Sequence, residues 1–161
     1  MAATYPAPED LKGAVQGTLL YLSLYLFGFI TFQSFSKFYL FRQKKQQAKA
    51  DAKKHGTATT EKVSFRAVKY YNSRDMLALA GDRTVGNFLE FAIVFLPLYW
   101  MHAVLVDPTM SWTIALAYTV PRGLYPLLML YAPTKILLST LPGYVVLFYL
   151  MWEIATKYAF V

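Results

Sequence analysis

The chain has 161 residues, 57% of them apolar and 17% aromatic, with a mean hydropathy of +0.34 and a formal charge of +7. That profile fits one domain, and a polytopic membrane protein rather than a soluble one. With no cysteine anywhere, a disulfide framework, a thiolate metal site and a cysteine nucleophile are all excluded. The two histidines, His55 and His102, lack metal-site spacing, so no metal is expected.

The positive charge is local. Between Arg42 and Arg74 ten lysines and arginines stand against Asp51 and Glu61, a net +8, and the rest of the chain is close to neutral. Placed between two apolar segments, such a run reads as a topology signal and a contact for anionic lipid headgroups rather than for nucleic acid.

Met1 to Asp10 is short and acidic, without the basic leader of a cleaved signal peptide, so it is expected to be retained. Gly13 to Ser36 carries no charge over 24 residues, enough for a first span, expected over about 13–41. A basic loop follows over 42–72, whose Lys/Gln/Ala-rich start extends the helix and whose 64–72 portion lies at the membrane surface. The second span is expected over about 73–106, with Pro97 as a kink site. Asp107-Pro108-Thr109 turns the chain straight back into a third span, about 110–131. Ala132-Pro133-Thr134 reverses it again into a fourth, about 135–158. The expected fold is therefore an all-α, four-transmembrane-helix antiparallel bundle in one domain. The positive-inside rule places the loop and Lys135 in the cytosol, or its equivalent, and both termini across the membrane.

Polar groups inside apolar spans point to chemistry. Arg83, Asn87 and Glu90 sit at i, i+4 and i+7, on one narrow face at the start of the second span. On the third, Tyr118, Arg122 and Tyr125 repeat that spacing, and the topology puts both faces at similar depth. Two guanidiniums, a carboxylate, an amide and a phenol suit a small zwitterionic or anionic peptide-like molecule. The competing reading is an internal Glu90–Arg122 pair that merely ties two helices together. His102, beside Trp100, is read as a membrane-face residue near the opposite interface.

The pattern Arg83-x-x-x-Asn87-x-x-Glu90 opening a second membrane helix, followed by Arg122-Gly-Leu-Tyr125 on the third, resembles the signature of the MAPEG superfamily. Its members are membrane-associated proteins of eicosanoid and glutathione metabolism. The resemblance covers roughly Arg66 to Val161. It implies a homotrimer of four-helix bundles, with glutathione as co-substrate held near the cytosolic face between subunits by Arg83, Asn87, Glu90, Arg122 and Tyr125. Tyr125 and Lys135 are the catalytic candidates it implies. The enzyme's task would be to stabilise the glutathione thiolate, the nucleophilic form.

Three positions depart from the family pattern. Lys135 stands where the leukotriene-synthase branch has an arginine near the start of the fourth helix. Phe91 replaces a tyrosine after the glutamate, and Met129 stands one turn after Tyr125. Two functions follow as expectations. One is a membrane glutathione transferase or peroxidase acting on lipophilic electrophiles or lipid hydroperoxides, in the endoplasmic reticulum or an organelle, including the mitochondrion. The other is a non-catalytic accessory subunit of a larger membrane complex, with a lipid-presenting binding protein as a third variant.

Overall fold

The first apolar stretch forms one helical rod with an irregularity at its centre. In the computed structural model, which describes residues 6–55, 63–65, 68 and 75–158, α1 (Lys12–Ser23) runs into a π-helical segment, Leu24–Ile30, and on into α2 (Thr31–His55). After the connection come α3 (Met76–Leu105), α4 (Ser111–Gly123), α5 (Tyr125–Tyr131), a 3-10 turn at Pro133–Lys135, and α6 (Leu137–Tyr158). The described residues contain no strand. The expected surface segment 64–72 and the expected start of the second span at 73 fall largely outside them.

Among the described residues three helices are long and apolar enough to cross a membrane: Lys12–Lys54, Met76–Leu105 and Pro133–Tyr158. The third span arrives in two pieces, because Pro126, at the opening of α5, has no N–H to bond back into α4. Leu124 instead donates to the Pro121 carbonyl at 3.1 Å, and the chain then re-enters helix at Tyr125. Pro97 and Pro142 do not interrupt α3 and α6.

Asp75 starts α3 as its N-cap, its carboxylate accepting from the Ala78 amide at 2.9 Å. At the other end of α3 the reversal is an Asp107 turn. The Thr109 hydroxyl at 2.7 Å and amide at 2.8 Å both donate to that carboxylate and hold its pKa below the usual range, the hydroxyl contributing most. Lys157 and Tyr158, from the end of α6, donate to the Val106 and Leu105 carbonyls and cap α3.

The bundle closes through α4, which packs on both α1 and α6, and through α3, which packs on α2 and α6. Small residues permit the close crossings, as in membrane bundles generally. A Cβ on Gly17 would stand 2.2 Å from the Tyr99 hydroxyl and 2.5 Å from the Ala115 Cβ. That closeness lets the Tyr99 hydroxyl lie among the carbonyls of Gly13, Ala14 and Ser111, at 3.1–3.3 Å. Gly81 in α3 similarly accepts the approach of Ser36 and Gln33 from α2. The next residue, Asp82, takes the Lys37 ammonium at 2.6 Å and the Gln33 amide at 2.8 Å, pinning α2 to α3.

Between these crossings lies an aromatic core. Tyr21 stacks on Phe88 with centroids 4.2 Å apart, and Phe95 stacks on Tyr118 at 3.7 Å. His102 belongs to this interior rather than to the lipid face. It is 1% exposed and its ring lies 5.8 Å from that of Tyr149, which corrects the membrane-face expectation.

Candidate functional site

Arg122 is the largest side chain in the molecule with under 2% exposure among the described residues. It projects from the last turn of α4 toward α3, where the Asn87 side-chain carbonyl accepts one of its Nη groups at 2.6 Å. The other Nη reaches the Tyr118 hydroxyl, one turn earlier on α4, at 3.5 Å. Phe91, one turn beyond Asn87, stacks on the guanidinium with its centroid 4.4 Å from Cζ. On the remaining side α6 contributes bare backbone. A Cβ on Gly143 would sit 3.0 Å from Nη2 and 3.1 Å from Nε. Gly143→Ala therefore requires the guanidinium to give way by a few tenths of an ångström, whereas a methyl added at Gly86 meets open space.

No carboxylate neutralises Arg122 among the described residues, so the internal Glu90–Arg122 pair is absent. Among the described residues its Nε–H has no acceptor, and the buried Thr119 and Ser139 hydroxyls are likewise unpartnered. A desolvated cation with an unused donor is an arrangement that favours an arriving anion.

The two charged members of the α3 signature face outward. Arg83 and Glu90 are exposed, while Asn87 is half-buried and turned to Arg122. Tyr125 is 7% exposed, and Arg83, Arg122 and Glu90 all lie within electrostatic reach of its hydroxyl. Thus Arg83, Glu90, Arg122 and Tyr125 gather around one region, with Asn87 as the hinge between its outer and inner halves. Lys135 stands apart, exposed in the 3-10 turn, its side chain without a hydrogen bond or ion pair among the described residues. Phe91 and Gly143, neither of them expected as site residues, turn out to pack directly on the Arg122 guanidinium. The sequence signal was the glycine inside an apolar helix, a residue that weakens a helix unless something approaches it closely.

Glu90 lies midway along α3, a helix long and apolar enough to cross a membrane, and its carboxylate is exposed. Leaving it against lipid tails costs several kcal/mol, roughly, unless a partner or ligand covers it.

An all-helical, multi-pass membrane bundle with a polar cluster built around an uncompensated arginine defines a membrane protein with a buried polar site. The MAPEG family profile matches residues 17–156, most of the chain, and the chain belongs to the MAPEG family, the superfamily of membrane proteins of glutathione transfer and eicosanoid synthesis. Searches of curated proteins and of solved structures return no match.

Proposed function

We propose that the protein is a membrane-embedded glutathione transferase or peroxidase whose site lies on the outer face of α3, between copies of the chain in a homotrimer. The observation that carries this reading is Arg122, which no carboxylate among the described residues neutralises, bonded to Asn87 on the same helical turns that bear the exposed Arg83 and Glu90. Arg83 binds a carboxylate of glutathione, Glu90 takes its ammonium, the Asn87 amide meets a peptide group, and Arg122 holds that amide in place and adds positive charge behind it. The outward Glu90 supports an oligomer, since a second copy would take it out of contact with lipid.

The cations and Tyr125 stabilise the thiolate over the thiol, lowering a pKa that is about 8.5 for an ordinary thiol. The thiol proton passes to water, and the thiolate sulfur attacks the electrophilic carbon of a lipophilic substrate, forming a C–S bond as the leaving group departs with the bonding electrons. In the peroxidase reaction, two glutathiones are oxidised to the disulfide while one hydroperoxide is reduced to alcohol and water. The rate rises as the pH climbs through the lowered thiol pKa and levels off above it, because only the thiolate reacts.

The accessory-subunit reading draws support from Lys135, which remains exposed and apart from the Arg122 group. Assay of the detergent-purified protein with an aromatic halide and an organic hydroperoxide separates the readings. Glutathione-dependent turnover with either substrate supports the enzyme. Glutathione binding without turnover supports the accessory role, and neither binding nor turnover overturns both uses of the site. The membrane is proposed to be that of the endoplasmic reticulum or an organelle. Anionic headgroups lie within reach of Arg42 and Lys45, in the first turn beyond the span.

A further inference from the structure

Beyond Leu40, which packs with Ala78 near the start of α3, α2 continues as helix to His55. This extension holds Arg42, Lys44, Lys45, Lys49, Lys53 and Lys54 against the single acid Asp51. At 100° per residue Arg42, Lys45, Lys49 and Lys53 fall within about 80° of one another, while Asp51 lies on the opposite side. A groove of about 340 Å³ runs along this face, lined by Arg42, Lys45, Gln46 and Lys49. Arg42 also rests on the Phe38 ring, its Cζ 4.8 Å from the centroid. None of the four stripe cations has a carboxylate partner among the described residues.

From the cationic stripe of α2 we infer a docking surface for an acidic segment of another protein. Two observations favour that partner over a membrane surface. From Gln43 to His55 the only apolar side chains are alanines, so the helix has no apolar face to lay in the headgroup region. Lys53 is about 16 Å along the helix from Arg42 at 1.5 Å per residue. Even at a tilt of about 40° it stands about 12 Å above the surface, beyond the roughly 8–10 Å over which salt screens headgroup charge. Other copies of the same helix cannot cover the stripe, because each brings the same excess of positive charge. Nucleic acid is disfavoured because no aromatic side chain interleaves the cations beyond Phe41 to stack on bases. Cations at i, i+3, i+7 and i+11 match carboxylates repeated every third or fourth residue on a facing helix.

The inference does not depend on the glutathione reading and is tested without it. The full chain is placed in phosphatidylcholine nanodiscs and titrated with a fluorescent helical peptide bearing glutamates at every third or fourth position. Two variants with equal charge change are compared: K49E/K53E on the stripe and K44E/K54E off it. Binding that weakens at least tenfold for K49E/K53E and little for K44E/K54E supports the surface. Equal losses in both variants overturn it, as they show diffuse charge attraction only. Absence of peptide binding overturns it as well. So does tighter binding of a single-stranded oligonucleotide, or loss of peptide binding when the discs are rich in phosphatidylserine, which would show the helix captured by lipid.

Discussion

Arg122→Leu is expected to weaken glutathione binding by about 2 kcal/mol or more, roughly 30-fold in Kd, without lowering the stability of the bundle. The two effects have different origins. Leucine fills much of the same space and removes a desolvated guanidinium that no acid compensates, a change that is often neutral or stabilising. Asn87, half-buried, can turn its freed carbonyl to water. Thermal unfolding in detergent reads the stability, and calorimetric titration reads the affinity. If the variant instead unfolds well below the wild type, Arg122 is a brace between α3, α4 and α6, and its burial needs no ligand to explain it.

Gly17→Ala carries the largest expected effect on stability. The added methyl would meet the Tyr99 hydroxyl at 2.2 Å and the Ala115 Cβ at 2.5 Å, and neither can yield cheaply. Ala115 belongs to the backbone crossing of α4, and moving Tyr99 strands a hydroxyl that is buried among three carbonyls. Overpacking and loss of that hydrogen bond together destabilise by about 2–5 kcal/mol. Gly86→Ala and Gly123→Ala, whose added methyls meet open space, serve as controls. They are expected to be neutral or to stabilise their helices by up to about 1 kcal/mol. Unfolding midpoints for the three variants check the ranking, and a Gly17→Ala protein as stable as the controls contradicts the α1–α3–α4 crossing described above.

Much of the architecture could be read from residue order. The uncharged run from Gly13 to Ser36 announces a span, and the reversals at Asp107–Thr109 and Ala132–Thr134 are short enough to force antiparallel neighbours. From those reversals came the expectation that Asn87 and Arg122 share a depth, and the structure brings them into contact. What spacing could not supply was direction. Arg83, Asn87 and Glu90 lie within about 60° on a helical wheel. The boundary between the packed and open sides of α3 runs through that arc, so Asn87 turns inward while the two charges face out. The same reasoning explains His102. It stands two residues from Trp100, about 200° around the helix, so proximity in sequence to an interfacial tryptophan placed it on the wrong side.

The divided third span follows from Pro126, a residue that periodicity treats as one more position in an apolar run. The π-helical segment has no comparable signal. Its consequence is visible only in three dimensions, where Tyr25 and Phe29 both pack on the Phe88 ring, at 5.7 and 5.0 Å. Phe91 is instructive in another way. Read against the family pattern it is a missing hydroxyl, whereas in the fold it is an aromatic plate over Arg122, a role that needs no hydroxyl.

The central claim is that the outer face of α3 receives glutathione and that the charges there are not simply helix braces. The most direct test is a calorimetric titration of glutathione into the purified protein, wild type beside Arg83→Ala, with the mass of each measured in detergent. Arg83 is exposed and holds no helix in place, so its removal should leave the mass and the fold unchanged. The account predicts saturable binding to the wild type at a mass of three chains, and at least tenfold weaker binding to Arg83→Ala at that same mass. Wild-type protein that takes up no glutathione, or an Arg83→Ala protein that binds it equally well, would contradict it.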